Sequence, residues 1–200
     1  IHYDEIDVTT MQASRARLAA AGVADGDVTD LAFVVAAVAA ALESVPALNG
    51  PIEDGDLQRR DDVNVAIAVP TDEGLVEPVV VDADDVSLPV LAREVAELVE
   101  RARDGSLAPA ETADGTFTVS DFGALGGTYA APSVDAFGTA VLALGEIREY
   151  TRDRDDGEAT QTMLPLSTAV DSRAVEGDVP ARFMTEVRRY LNTPELLLLE

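Results

Sequence analysis

Apolar residues recur along the chain with helical and strand periods in alternation. Thr10 to Ala21 predicts a weakly amphipathic helix. The next periodic segment, Leu31 to Ser44, is apolar nearly all round, so it predicts a helix buried on several sides. Thr29 or Asp30 can cap this helix, which we expect to end before Pro46.

A period of two follows, which is typical of strands. Large apolar residues alternate with smaller ones over 63–69, and the turn Thr71 to Gly74 leads to a second strand, Leu75 to Val81. Three more strands are predicted: Thr116 to Ser120, Phe137 to Leu144 and Met163 to Val170. A short extended segment that ends at Val8 and Thr9 precedes the first helix.

Two later helices show one apolar stripe each. Ser87 caps the first, which ends at Gly105, and Asp178 caps the second, which ends at Pro194. The inward residues are Leu91, Val95, Leu98 and Ala102 in the first helix and Phe183, Val187 and Leu191 in the second. With a charged, hairpin-like loop over Arg152 to Glu158, the pattern predicts one α/β domain over residues 1–200 with a mixed sheet.

The charge of the chain is strongly acidic. The 38 acidic and 14 basic side chains give a formal net charge of −24, and every basic residue is Arg. Such a surface repels nucleic acid and anionic membranes, so we expect neither as a partner. Acid spread along the whole chain favours a cytoplasmic protein adapted to high salt, where molar salt shortens the Debye length to about 3 Å. The longest apolar run, Leu31 to Leu42, is too short to span a bilayer.

Residue types limit the chemistry further. The chain has no Cys, which excludes disulfides and thiolate metal sites, and His2 is its one histidine. No metal site is expected. The strands do not alternate strictly with helices, and Gly123, Gly126 and Gly127 spell no phosphate-binding loop, so these glycines are interpreted as turn residues.

Four stretches together resemble the catalytic core of the dihydrolipoamide acyltransferases of 2-oxo acid dehydrogenase complexes. They are Asp4 to Thr9 with the buried helix and its ending Pro46 to Asn49; Val63 to Val69 running into Gly74 to Val80; Gly115 to Gly123; and Leu166 to Gly177 continuing into Pro194 to Leu199. The family's opening helix, its lipoyl module and its subunit-binding module are not among these stretches. Lipoylation needs a Lys, so we do not expect these residues to carry a lipoyl group.

The resemblance implies a fold and a reaction. The fold would be that of chloramphenicol acetyltransferase, a mixed sheet covered by helices, in trimers that have active sites between subunits and that build larger shells. The family moves an acyl group between a dihydrolipoyl thiol and coenzyme A, and both are expected here as substrates rather than bound cofactors. A histidine in an H-R-x-x-D-G motif takes the thiol proton, and a serine hydroxyl supports the oxyanion.

In this chain the motif falls on Asp171 to Gly177, and the histidine position holds a serine. The catalytic positions implied by the resemblance are Ser120, Ser172, Arg173 and Glu176. The substrate channel would include Asp121, Gly123, Asp171 and Gly177. A serine hydroxyl is too weak a base for a thiol proton, and losing a general base costs on the order of 10²–10⁴ in rate. A negative charge at Asp121 beside the oxyanion would be unfavourable.

These positions predict an impaired acyltransferase core that serves as an assembly scaffold. The first alternative is an active enzyme that uses Glu176 or Asp171 as its base. The second is a binding module for coenzyme A or an acyl thioester. His2 is interpreted as a packed residue near the start of the sequence rather than as a replacement base. The Asp-Ser-Arg stretch also resembles the non-catalytic dehydrogenase-binding component of some pyruvate dehydrogenase complexes.

The run of leucines near the end of the sequence predicts an interface. Leu196, Leu197, Leu198 and Leu199 are consecutive, and one short segment cannot bury all four against itself. We therefore expect a homo-oligomer, a trimer or a larger shell, or co-assembly with active acyltransferase chains. Other subunits of the dehydrogenase complex are the remaining expected partners.

Overall fold

A computed structural model describes residues 1–54, 56–154 and 157–198. The α-helices in these ranges are α1 (Thr9–Ala20), α2 (Asp30–Ser44), α3 (Leu88–Arg103), α4 (Val134–Phe137) and α5 (Val179–Asn192). The strands are β1 (His2–Asp7), β2 (Ile52–Glu53), β3 (Asp56–Leu57), β4 (Val65–Thr71), β5 (Gly74–Val76), β6 (Val79–Val80), β7 (Phe117–Asp121), β8 (Val141–Leu144), β9 (Arg148–Arg154) and β10 (Gly157–Ala169).

One large mixed sheet organises the molecule. Its strand order is β1-β10-β8-β7-β4-β5, with β6 paired to β4 and β9 paired to β10. The central strands β4, β7 and β8 are parallel, and the other pairs in the sheet are antiparallel. The predicted α/β class with a mixed sheet covered by helices is confirmed.

The two faces of the sheet differ in composition. One face carries large apolar side chains such as Val65, Ile67 and Leu142, which are in the hydrophobic core with the helices. The other face carries small or hydroxyl side chains, among them Ala66 and Thr118. Because successive strand residues point to opposite faces, the alternation predicted over 63–69 reflects this division.

Helix α2 is the centre of the helical layer. Its residues from Ala32 to Leu42 are all buried, as its uniformly apolar sequence predicts. The hydroxyl of Thr29 accepts a hydrogen bond from the backbone N–H of Ala32 at 3.2 Å and so caps the helix. Helices α3 and α5 bury one face each, with the predicted apolar residues inward. The side chains of Ser87 and Asp178 precede these helices without forming a capping hydrogen bond in the described structure.

Several predicted strands have other bounds in the structure, among them β10, which begins at Gly157 rather than at the predicted Met163. The segment Leu75 to Val81 is divided into β5 and β6 at Pro78, which has no N–H to donate to a neighbouring strand. The predicted strand from Phe137 to Leu144 starts later, because Phe137 ends α4 and Gly138 at φ 70° reverses the chain before β8. Arg154 pairs with Gly157, so β9 and β10 form a hairpin over the predicted charged loop, whose residues 155–156 lie outside the described ranges.

Among the helices that the structure describes, none is both long and apolar enough to cross a membrane.

Candidate active site

Ser120 lies near the end of β7 on the sheet face that carries small side chains. It pairs with Ala68 of β4 on one side and with Ala143 of β8 on the other. The side chain is only 6% exposed. The serine that the resemblance assigns to oxyanion support is therefore flanked by methyl groups on both neighbouring strands.

A hydroxyl pair and a carboxyl group lie beside this serine. Thr118, two residues earlier on the same strand face, has its Oγ1 2.8 Å from Oγ1 of Thr139. It also donates a 3.4 Å hydrogen bond to Oε1 of Glu77. Burial raises the pKa of the half-buried Glu77 carboxyl above its ordinary value, and the bond from Thr118 lowers it by less. Glu77 is not among the predicted site residues, although a single acid within the apolar run 75–81 is a signal that the sequence offers.

The loop after β10 presents Ser172 to solvent. Ser172 is exposed and lines an open cavity of about 290 Å³ together with Ile1, Pro132 and Val134. Its two neighbours form an ion pair: Arg173 Nη2 lies 2.6 Å and Nε 3.1 Å from Asp171 Oδ2. This pair lowers the pKa of Asp171 to about 2, which makes Asp171 a poor proton acceptor near neutral pH.

Glu176 and Gly177 complete the same loop and are both exposed. The backbone turns before them, because the N–H groups of Ala174 and Val175 both donate to the carbonyl of Asp171, at 3.1 and 3.0 Å. The carbonyl of Glu176 then accepts from Val179 N–H at 3.2 Å, at the start of α5. The motif residues thus form one turn between β10 and α5, in which Ser172, Arg173, Glu176 and Gly177 are exposed and Val175 is buried.

A single chain does not bring Ser120 and Ser172 together. Ser120 is next to last in β7, whereas β10 runs the other way and ends beside the first residue of β8, where Ala169 pairs with Val141. Ser172 follows three residues beyond that end, and the cavity that it lines contains no residue of β7. The two serine hydroxyls therefore lie at opposite ends of the central strands.

Asp121 and Gly123 have structural explanations. The Asp121 carboxylate accepts a 3.0 Å hydrogen bond from Ala124 N–H and lines a cavity of about 180 Å³ with Leu144 and Leu164, which are in the helix-covered core. Asp121 therefore lies on the opposite face of the sheet from Ser120. The prediction that the Asp121 carboxylate lies beside this serine is wrong within a single chain. A Cβ on Gly123 would lie 2.5 Å from the carbonyl oxygen of Gly145, so close packing requires glycine there.

The leucine run is only partly available to a partner. Leu197 is buried against the chain's own core and Leu196 is half-buried on it, so the expectation that the segment cannot bury its own leucines is wrong for these two. Leu198 is 47% exposed. Leu199 lies outside the described residues.

Other candidate features lie away from the serines. A cavity of about 590 Å³ is lined by Arg60, Asp62 and Asp114 among others and contains none of the predicted site residues. His2 is half-buried on β1, where it pairs with Thr168. Within the described ranges no group of three or more His, Cys, Asp or Glu side chains could hold a metal ion.

Comparison with known proteins shows the family to which this chain belongs. The profile of the 2-oxoacid dehydrogenases acyltransferase catalytic domain matches residues 1–199. The chain belongs to this family. The chain is 34% identical over 200 residues, 98% of its length, to the dihydrolipoyllysine-residue acetyltransferase component of the pyruvate dehydrogenase complex of Bacillus subtilis, of which it covers 45%. It is 36% identical over 170 residues to the succinyltransferase component of the 2-oxoglutarate dehydrogenase complex of Bartonella vinsonii, covering 85% of this chain and 41% of that protein. The chain thus spans less than half the length of these relatives.

Solved structures agree with the family and with the fold. The dihydrolipoamide acetyltransferase of Azotobacter vinelandii superposes with a TM-score of 0.87 at 31% identity, covering 98% of this chain and 82% of that chain. A chloramphenicol acetyltransferase superposes with a TM-score of 0.61 at 14% identity, covering 94% and 86%, which shows the fold alone. The predicted chloramphenicol acetyltransferase-like fold of this family member is confirmed.

Proposed function

We propose that this acyltransferase-family core transfers acyl groups between a dihydrolipoyl thiol and coenzyme A only slowly, and that its main role is to build an oligomeric core. The observation that carries the proposal is Ser172, a serine exposed on the loop where the family's H-R-x-x-D-G motif places its proton acceptor. A neutral hydroxyl does not take a thiol proton at neutral pH, so the site keeps orientation and oxyanion support without its general base.

The sequence separations among Ser120, Ser172 and Glu176 support placing Ser172 at the histidine position. In the Azotobacter vinelandii enzyme, a serine, a histidine and an asparagine were investigated for their role in catalysis, and they are separated by 52 and four positions. Ser120, Ser172 and Glu176 are separated by the same 52 and four positions here. Equal spacing over a matching fold favours Ser172 as the counterpart of the histidine and Glu176 as the counterpart of the asparagine.

The site's remaining chemistry is oxyanion support. In thioester exchange, negative charge develops on the carbonyl oxygen, and one well-placed hydroxyl donor contributes on the order of 10²–10³ in rate. Ser120 would provide that donor, while Arg173 holds the Asp171 to Gly177 loop through its ion pair with Asp171. Since one chain separates Ser120 from Ser172, a complete site needs the loop of a second copy, as in a trimer.

The two alternatives differ in how well the geometry supports them. Asp171 is disfavoured as a replacement base, because its ion pair with Arg173 keeps its pKa near 2. Glu176 is exposed on the same loop and stays the candidate base of the active-enzyme alternative. A module that only binds coenzyme A or an acyl thioester needs the channel and Ser120 but no base, so it predicts binding without turnover.

Two observations support assembly: the exposed side chain of Leu198 and the known structures of relatives. Leu198 leaves an apolar side chain in solvent, suited to contact with another copy. One related structure, with a TM-score of 0.87, is the cubic core of a pyruvate dehydrogenase multienzyme complex. Homo-oligomers, active acyltransferase chains and other dehydrogenase-complex subunits are the proposed partners, and the charge of −24 favours a high-salt cytosol as the setting.

The test is acetyl transfer from acetyl-CoA to dihydrolipoamide, measured in molar salt for the parent, Ser172→His and Ser172→Ala. Ser172→His should raise the rate about tenfold or more, because an imidazole restores a proton acceptor with a pKa near neutrality. Ser172→Ala should leave the rate unchanged. Equal rates for the parent and Ser172→His contradict the proposal.

A further inference from the structure

Glu77 lies on the same row of the sheet as Ser120. The β4–β5 and β4–β6 ladders share one antiparallel register, which places Glu77 opposite Ala68. Ser120 pairs with the same Ala68 from the other side. Two strand spacings, roughly 10 Å, therefore separate the two Cα atoms, and the residue between them has only a methyl side chain.

The carboxyl group of Glu77 reaches across the sheet to Thr118, which pairs with Ala66 in the next row of the same face. Its Oε1 accepts the 3.4 Å hydrogen bond from Thr118 Oγ1. Thr118 and Ser120 lie on one strand face two residues apart, about 6.6 Å along the strand. The carboxyl group and the Ser120 hydroxyl therefore lie on either side of Ala68, whose methyl group leaves space between them. A thiol and a thioester carbonyl between them would meet a proton acceptor on one side and a hydrogen-bond donor on the other.

We propose that Glu77 is the proton acceptor that remains at this site, and that it supports the slow transfer of the proposed function, on which this inference rests. The Glu77 carboxylate takes the proton as the S–H bond of the dihydrolipoyl thiol breaks. The sulfur then bonds to the carbonyl carbon of the acyl-CoA thioester, with Ser120 donating to the oxyanion. Collapse breaks the carbon–sulfur bond to coenzyme A, and the leaving thiolate takes the proton back from Glu77.

The surroundings suit Glu77 to this task better than the acids of the motif loop. Partial burial raises the pKa of Glu77 and so makes its carboxylate a stronger base. The difference between its pKa and that of a thiol becomes smaller, which favours proton transfer from the thiol. The ion pair with Arg173 has the opposite effect on Asp171. Glu77 also belongs to the chain that contributes Ser120 and lies in register with it, so its position does not depend on the Asp171 to Gly177 loop.

A double-mutant cycle tests the assignment through the rate of acetyl transfer from acetyl-CoA to dihydrolipoamide. Glu77→Gln should lower the parent's rate about 10²-fold, because the amide cannot take a proton but keeps an oxygen for Thr118. In the Ser172→His background the same substitution should change the rate less than about threefold, because the imidazole does the proton transfer. Glu73→Gln, which removes an exposed charge from the neighbouring turn, is the matched control and should alter neither rate.

The outcomes separate this inference from the proposed function. An equal loss in both backgrounds would show that Glu77 acts only in packing and would overturn the inference. So would an unchanged rate for Glu77→Gln in the parent, or a parent rate no higher than that of the uncatalysed reaction. If Ser172→His fails to raise the rate, the proposed function is contradicted instead.

Discussion

At the scale of single residues, Asp171 and Arg173 fix the loop that carries Ser172. Arg173 donates to both carboxylate oxygens of Asp171, and its backbone N–H donates to Oδ1 at 2.9 Å. Bidentate pairs of this kind define a geometry as well as an energy. The ion pair therefore holds the loop in place, although Ser172 offers no proton acceptor. A histidine introduced at position 172 would enter a preformed turn.

Arg173→Gln tests this role of the ion pair. Without the guanidinium, the pKa of Asp171 should rise from about 2 toward its ordinary 3.8, as followed by NMR titration of the carboxyl carbon. Because the folded-state pKa is lowered, the pair stabilises the fold above about pH 4, and the benefit disappears as the pH falls toward 2. Arg148→Gln, which breaks the pair with Glu146 elsewhere, is the control. An Asp171 pKa that stays near 2 in Arg173→Gln would contradict this role.

At the scale of elements, the turn after β7 depends on close backbone packing. The Asp121 carboxylate accepts a hydrogen bond from Ala124 N–H within the 3₁₀ turn Gly123–Leu125, and Gly126 adopts a φ of 78°. Gly123 lies against the carbonyl of Gly145, which follows β8. This contact joins the ends of two parallel strands, and it positions the last residues of β7, Ser120 included.

Gly123→Ala should therefore destabilise the fold. The added methyl would meet backbone atoms of Gly145 and Glu146 at 2.5 to 2.8 Å, and backbone shifts of this kind cost about 1–3 kcal/mol. Gly177→Ala is the matched control, since its Cβ meets nothing within 4 Å, and it should change the free energy of unfolding by about 0.5 kcal/mol or less. Urea unfolding in molar salt measures both. Equal effects of the two substitutions would show that the Gly123 contact carries no strain.

Most helices and strands could be predicted from the local sequence pattern, whereas the residues that strand pairing brings together could not. The uniformly apolar α2 and its Thr29 cap follow from sequence, because burial and capping are local properties. The position of Glu77 opposite Ala68 depends on strand pairing across a turn, which no local pattern specifies. The motif resemblance identified Ser120 and Ser172, but only the sheet register shows that they lie at opposite ends of the central strands.

At the scale of the whole molecule, the chain has the fold of its acyltransferase family, and Ser172 lies on the loop between β10 and α5. The parallel core of β4, β7 and β8 and the buried α2 carry Ser120 on a face lined with small residues. The chain carries a formal net charge of −24. In molar salt the repulsion between its exposed carboxylates is screened beyond about 3 Å. We propose that the site is built from two copies of this fold and lacks only a proton acceptor as strong as histidine.

Subunit complementation tests that claim most directly. The parent supplies Ser120, and a Ser120→Ala/Ser172→His variant supplies an imidazole without the oxyanion serine. After refolding the two together in molar salt, with hybrid trimers verified by sedimentation, the acetyl-transfer rate should exceed the sum of the separate rates about tenfold. A mixture of the parent with Ser120→Ala should show no gain. A rate for the hybrid equal to that sum, alongside an active Ser172→His homo-oligomer, would place the site within one chain and contradict the account.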